Sequence, residues 1–447
     1  MTVLLPCPKI DKVPKTLWPI CTTLGIQPLW REVNLTMSKI TVEVDPVEVG
    51  MESTRLERIS THFQQYVDEG KLPGFSVLVS RAGEVVYADA KGMRDIATSA
   101  PMELDTIVRI YSMTKPLTSV AAMILYERGL FELTDPVYKF IPSFRDVMVF
   151  QRGGSQSSSL VPAQEPIRIW HLLTHTAGLT YGFHYAHPVD QMYRSAGFEW
   201  GAPEGFDLAQ CCEGWARLPL LFEPGSEWNY SVATDVLGRV VEVASGKTLD
   251  VFLQEEILDP LGMTDTGFYV KDSEAYRVAS LYTKSPHDGV LLRLGSLAET
   301  PRQLPKYLSG GGGLTSTLHD YHRFTQMMLN RGELNGVRIL GSRSVDYMTI
   351  NHLPDHKDLE EFGRPVFAES SYCGVGFGLG FAVVEDPAAQ KVLSTKGEYS
   401  WGGAASTAFW IDPREKLTVI FLTQLIPSST YPLRSQLSQL VYQSLID

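Results

Sequence analysis

Apolar residues recur at spacings of three and four through Leu56, Ile59, Phe63 and Val67, which predicts a helix over about 52–70. The period then changes. Phe75–Val79 and Val85–Ala88 are short apolar runs on either side of Arg81-Ala82-Gly83-Glu84, the pattern of a β-hairpin. Ile110–Gly129 reads as an apolar helix closed by its glycine. Residues 130–235 predict short helices and long loops. Among them are a polar surface loop at 153–159 and a short helix at Trp170–Ala177 that ends at Gly178. Val236, Leu237, Val240, Val241 and Val243 mark a further helix, and another spans His319–Asn330. The glycine-rich stretch Ser309–Thr317 lacks the Lys-Ser/Thr ending of a phosphate loop, so it reads as a tight turn capping that helix. Strands return at Gly378–Val384, Ala405–Ile411 and Leu417–Leu422, and a helix from about Tyr431 closes the chain.

Strands at both ends of the sequence imply one antiparallel sheet built from both termini, an α+β class rather than a parallel one. The expected division is an α/β lobe of 37–118 and 375–447, with part of 240–300, and a mainly helical lobe of 119–239 and roughly 300–374. Residues 1–36 hold five prolines and no sustained period, and they read as an N-terminal extension whose order the pattern leaves open. Ser112 falls near the seam of the two lobes, where ligand sites concentrate.

Composition narrows the function. The 447 residues are 44% hydrophobic and 20% charged, an ordinary profile for a globular protein with a large core. The net charge of −12 and the lack of a basic run disfavour nucleic acid and anionic membranes as partners. No apolar stretch nears the roughly 20 residues of a spanning helix, so no membrane insertion is expected. Cys7, Cys21, Cys211, Cys212 and Cys373 are odd in number and irregularly placed, which fits a reduced, cytoplasmic compartment. There is no C-x-x-C or H-E-x-x-H, so neither a metal site nor a cofactor is expected. His175 reads as a hydrogen-bonded structural histidine.

Three stretches carry candidate chemistry. Ser112 and Lys115 open the Ile110–Gly129 helix three residues apart, which puts both side chains on one face. A serine hydroxyl beside a lysine amine is a nucleophile beside a base, and free N–H groups at a helix start favour a nearby oxyanion. In Phe222-Glu223-Pro224-Gly225-Ser226-Glu227-Trp228-Asn229-Tyr230-Ser231-Val232, a Pro-Gly turn precedes Tyr230, on a loop just before a helix. A tyrosine there is either a packed core residue or, beside a lysine, a general base. In Lys396-Gly397-Glu398-Tyr399-Ser400-Trp401-Gly402-Gly403-Ala404, two glycines let backbone approach a ligand closely at a strand opening.

The order Ser-x-x-Lys, then Tyr-Ser, then a glycine-rich strand opening resembles the serine β-lactamase and penicillin-binding-protein superfamily. Phe-x-Pro-Gly before the tyrosine, Leu172–Leu179 and Pro260-Leu261-Gly262-Met263 resemble its class C-related branch. Where that superfamily has Tyr-x-Asn and Lys-Thr-Gly, this chain has Tyr230-Ser231-Val232 and Trp401-Gly402-Gly403, which is similar to the family VIII carboxylesterases. The resemblance covers roughly residues 45–447. It implies a β-lactamase/DD-peptidase-like fold, Ser112 as nucleophile and Lys115 with Tyr230 as the base pair. It also implies an oxyanion hole from the Ser112 and Ala404 N–H groups, with Trp401, Gly402 and Gly403 against the substrate. The expected activity is hydrolysis of short-acyl carboxylic esters through an acyl-enzyme, with weak cephalosporin hydrolysis as a side reaction. A small-molecule ester is the expected partner. The alternatives are an acyltransferase of the same fold, a β-lactamase or D-peptidase, and a non-catalytic binding protein. There is no Gly-x-Ser-x-Gly, the nucleophile turn of α/β-hydrolase esterases.

Overall fold

The strand Gly74–Arg81 is buried along its whole length, so both faces of the sheet it joins must be covered. The structure, a computed structural model, describes residues 40–295, 299–364 and 371–446. The expected extension over 1–36 lies outside the described residues. Eight strands form the main sheet: β1 (Gly74–Arg81), β2 (Glu84–Asp95), β3 (Ala100–Pro101), β4 (Val375–Phe377), β5 (Ala382–Val384), β6 (Tyr399–Gly402), β7 (Ala408–Asp412) and β8 (Leu417–Thr423). Their order is β4-β5-β6-β7-β8-β1-β2-β3, antiparallel throughout. The pairing of Phe75 with Thr423 through Arg81 with Leu417 joins the two ends of the sequence at the centre of the sheet.

Alternation along the strands sorts the core into two layers. Phe75, Val77 and Val79 share a cluster with Val419 and Phe421, and with Phe63 of helix α1 (Ser53–Asp68). Phe63 and Phe75 lie 4.9 Å and 5.5 Å from the Phe421 ring centroid. Burial of such side chains stabilises by about 1.5–3 kcal/mol each. Leu78, Ile420 and Leu422 face the other way. They meet the apolar faces of α2 (Thr114–Glu127), α3 (Ala233–Ser245) and α4 (Leu318–Leu329) in a second, larger cluster. The last helix, α5 (Leu433–Tyr442), returns to the α1 side. Thr317 caps α4 as expected, its Oγ1 accepting from Asp320 N–H at 3.3 Å.

Three expected boundaries change. Residues 153–159 are a β-hairpin, Met148–Gly154 against Ser157–Pro162, with Gly154 opposite Ser157. Its tip is largely exposed on both faces, so it carries no apolar alternation to read. Gly378–Phe381 is a turn between β4 and β5, closed by Gly378 N–H to Phe381 O at 2.7 Å, with Gly380 at φ +97°. Ala405 precedes its strand, because Gly403 N–H donates to Thr407 O at 2.9 Å and folds the segment into a turn before β7. That turn carries Ala404.

Candidate active site

Ser112 sits on a single 3-10 turn, Tyr111–Met113, that feeds directly into α2. The turn is held from several sides. Ile110 N–H donates to Leu314 O at 3.1 Å, and Tyr321 OH donates to Met113 O at 2.9 Å. Tyr111, just before the serine, has φ +44°, a conformation that costs a non-glycine residue energy and is kept only where the surroundings impose it. Gly403 is one such constraint. A Cβ there would overlap the Ile110 carbonyl, so glycine lets the chain leaving β6 close on the turn that carries Ser112.

Lys115, the second residue of α2, is only 2% exposed. Its Nζ lies 2.7 Å from Gly311 O, 2.9 Å from Tyr181 OH and 3.5 Å from Ser112 Oγ. The glycine-rich stretch thus does more than cap a helix, because its carbonyl fixes the lysine. A Cβ at Gly311 would overlap the Asp235 carboxylate. Asp235, buried on α3, accepts from Gly311 N–H at 3.0 Å, Ser309 Oγ at 2.6 Å and Tyr307 OH at 2.9 Å.

Tyr230 OH donates to Ser112 Oγ at 2.5 Å, across 118 positions of sequence. The loop behind it is zipped to residues 175–179. Asn229 N–H donates to His175 O at 3.0 Å, Asn229 Nδ2 donates to Leu179 O at 3.0 Å, and His175 Nδ1 stands 3.3 Å from Ser231 Oγ. His175 is therefore part of the scaffold. Complete burial, and then the charge of Lys115, hold it well below the usual histidine range. His184 follows the same causes in the same order, down to about 3. The Tyr230 ring packs 5.3 Å from Tyr181 and 5.4 Å from Trp401, with Lys115 Nζ 4.5 Å from its centroid.

A cavity of about 480 Å³ opens over these groups. Ser112, Tyr230, Trp401, Gly402, Gly403 and Ala404 all line it, and Lys115 lies beneath its floor. Aromatic rings form much of the wall, with Tyr181, Phe183 and Trp200 stacked at 4.6 Å intervals away from the lysine. All the expected site residues thus come together at one place. Sequence reasoning missed Tyr181, Asp235 and the role of Gly311. Tyr181 stands two residues after the Leu172–Leu179 stretch, and Asp235 five residues after Tyr230, but neither spacing carries a signal on its own. Among the described residues no group of three or more His, Cys, Asp or Glu side chains could hold a metal ion.

The comparisons with known proteins give the family. The family model described as Beta-lactamase matches residues 59–441. Protein Rv1367c of Mycobacterium tuberculosis is 36% identical over 368 residues, covering 81% of this chain and 88% of that one. Esterase EstB of Burkholderia gladioli is 32% identical over 398 residues, covering 85% and 93%. The solved structure of EstCE1, a hydrolase with promiscuous acyltransferase activity, superimposes with a TM-score of 0.72 at 29% identity, covering 89% of this chain and 99% of the other. With its sheet closed at the centre by both termini and its serine, lysine and tyrosine gathered at one cavity, this chain belongs to the Beta-lactamase family.

Proposed function

We propose that the chain is a family VIII-type serine carboxylesterase that hydrolyses short-acyl esters, with Ser112 of its Ser-x-x-Lys motif as the nucleophile. One observation carries the reading: Ser112 Oγ stands 2.5 Å from Tyr230 OH and 3.5 Å from Lys115 Nζ at the wall of a largely aromatic cavity. The hydroxyl proton leaves to the Lys115–Tyr230 pair as Oγ attacks the ester carbonyl. Either the neutral amine of Lys115 takes the proton and becomes an ammonium beside the new oxyanion, or a Tyr230 phenolate beside the Lys115 ammonium takes it; Lys115 Nζ lies 4.5 Å from the Tyr230 ring centroid. The carbonyl oxygen becomes an oxyanion against the Ser112 and Ala404 N–H groups; Ala404 N–H has no hydrogen-bond partner among the described residues, and both residues line the cavity. The alcohol leaves with the proton, and the same pair then draws one from water to release the acid. Likeness to EstB and EstCE1 supports ester bonds as the target.

The second reading is acyl transfer to an alcohol in place of water. Likeness to EstCE1, a hydrolase with promiscuous acyltransferase activity, favours it as a side reaction of the same acyl-enzyme. The lobe division that goes with this reading is 37–118 with 375–447 and part of 240–300 for the α/β lobe, and 119–239 with about 300–374 for the helical one. No helix among the described residues is long and apolar enough to cross a membrane. A cytoplasmic location is supported by the buried, unpaired Cys211 and Cys212. The test is to label the pure protein with a fluorophosphonate, locate the adduct by mass spectrometry, and assay p-nitrophenyl esters of graded chain length. The reading expects a single adduct on Ser112 and the fastest turnover on short chains; an adduct on another serine overturns it.

A further inference from the structure

A second cavity, of about 540 Å³, is lined in part by Arg109, three residues before Ser112, and shares no lining residue with the ester cavity. Four guanidinium groups from separate parts of the chain converge on it: Arg94 of β2, Arg109 of the short strand Val108–Arg109, Arg293 of the strand Leu291–Arg293, and Arg302. Two of them are matched. Arg94 Nη1 lies 3.2 Å from Glu103, and Arg293 Nη2 lies 3.6 Å from Asp95. The other two, Arg109 and Arg302, have no carboxylate within 4 Å among the described residues.

Arg109 is the informative one. Its guanidinium reaches Gln424 Oε1 only at 3.5 Å, and its Nε is buried with no hydrogen-bond partner among the described residues. Thr300, 6% exposed on the wall of the same cavity, has a hydroxyl in the same condition. Burial first, and then the charges of Arg302 and Arg293, hold Arg109 below the usual arginine range, yet an arginine stays charged in a protein. Four guanidinium groups stand against two carboxylates on the same wall, Asp95 and Glu299, an excess of positive charge in a chain of net charge −12 that an anion would offset. Buried donors left without acceptors point the same way.

We propose that this cavity is a binding site for a phosphoryl group. Two unmatched guanidinium groups suit a dianion, and the planar fork of arginine matches phosphate oxygens two at a time. The hydroxyl of Thr300 supplies a neutral donor on the same wall, while that of Ser280 already donates to Asp95 at 2.6 Å. The volume exceeds what a lone phosphate fills, so the group that carries the phosphate has room beside it.

The probes are inorganic phosphate, glycerol phosphate and succinate, added to the full-length protein at constant ionic strength and followed by calorimetry. Saturable binding of either phosphate is expected, with succinate much weaker. Tighter binding of glycerol phosphate than of inorganic phosphate identifies a phosphomonoester as the ligand, and equal binding identifies the free anion. Arg109→Gln and Arg302→Ala should each weaken binding by at least about tenfold, the loss of one charge-assisted contact. Arg302 is exposed, so its variant keeps the test valid if Arg109→Gln fails to fold. Ser112→Ala should bind phosphate as the parent does. Three results overturn the proposal: no saturable binding, binding unchanged in folded variants, or phosphate that inhibits ester hydrolysis competitively, which would put it in the ester cavity. None of these depends on whether Ser112 is the nucleophile.

Discussion

Lys115 Nζ stands closer to the carbonyl of Gly311, at 2.7 Å, than to the serine it accompanies, at 3.5 Å. The lysine is therefore aimed by backbone, and that backbone is aimed by Asp235 through Gly311 N–H, Ser309 and Tyr307. Asp235 touches no reacting atom in the proposed chemistry; it is a positioning residue. Asp235→Ala leaves three donors without their acceptor and should cost about 1–3 kcal/mol of stability. It should also lower kcat with little change in KM, since the aromatic walls of the cavity are untouched. Asp235→Asn keeps one acceptor oxygen and should recover part of kcat. A purely structural role would move the melting midpoint in both variants and leave kcat per folded molecule unchanged.

The groups gathered around the Ser112 hydroxyl should fall into two weights. Ser112→Ala, Lys115→Ala and Tyr230→Phe should each cost roughly 10⁴–10⁶-fold in kcat, as members of one catalytic unit. Tyr181→Phe removes only one acceptor of Lys115 and should cost about three- to tenfold, the worth of one ordinary hydrogen bond. Steady-state kinetics on a p-nitrophenyl ester, with circular dichroism to show that each variant is folded, provides the check. A variant at 112, 115 or 230 that keeps more than about a tenth of parental activity removes that residue from the unit.

What the sequence made legible follows from which features depend on local periodicity. The i, i+3 spacing is enough to bring Ser112 and Lys115 together, although Ser112 lies on the 3-10 turn before α2, and Phe75–Val79 reads as one strand of a hairpin. Tyr230 and Trp401 are recognisable only as members of an ordered set of motifs, because 118 and 289 positions separate them from Ser112. Tyr181 and Gly311 were beyond reach. Each enters from a loop whose path is set by contacts remote in sequence, such as Asn229 to Leu179 and Asp235 to Gly311. The hairpin at 148–162 was missed because glycine and serine at its exposed tip leave no alternation. Gly378–Phe381 reads as strand because apolar residues flank glycines that in fact turn the chain.

A buried acid in the third motif should make stability depend on pH. Tyr442 OH lies 2.6 Å from both Glu398 Oε2 and Asp412 Oδ2. A tyrosine has one proton to donate, so one of the two acids must donate to it. Asp412 Oδ1 already accepts from the Arg414 and Glu415 N–H groups, which leaves the proton on Glu398. Burial is the first cause, and it pushes the Glu398 carboxyl up to about 8 from 4.5. Between those values the folded state holds more protons than the unfolded chain. The associated stability is intact below 4.5 and is lost as pH rises toward 8, by up to about 1.4 kcal/mol per pH unit. His184, held down at about 3, acts with the opposite sign, its contribution falling as pH drops from 6.5 toward 3. The readout is thus the difference between parent and Glu398→Gln in urea unfolding from pH 5 to 8. The difference should grow with pH in favour of the variant, and parallel curves would show that Glu398 does not titrate there.

Trp401 should decide which acyl compounds the site accepts. Its ring lies 5.4 Å from both Tyr230 and Phe377, so the third motif presents apolar surface where a cation would greet a substrate carboxylate. Two nearby cations are otherwise placed. Lys396 pairs with Glu385 at 3.2 Å, and its side chain is 70% exposed, outside the cavity lining. Arg434 does line the cavity, but a Cβ on Gly402 would overlap its guanidinium. By strand alternation, that puts Arg434 on the face opposite Trp401. A β-lactam carboxylate therefore loses water on entry without gaining a charged partner; the Trp401 indole offers one neutral donor. A charge-assisted hydrogen bond contributes about 1.5–3 kcal/mol, so neutral esters should hold at least about a tenfold advantage in kcat/KM. Trp401→Lys should narrow that gap by raising the β-lactam rate, provided the new ammonium reaches the cavity. Comparing p-nitrophenyl butyrate with a chromogenic cephalosporin on both proteins decides the matter. Equal efficiencies in the parent would overturn the preference for esters, and an unchanged ratio in a folded Trp401→Lys variant would move its origin away from the third motif.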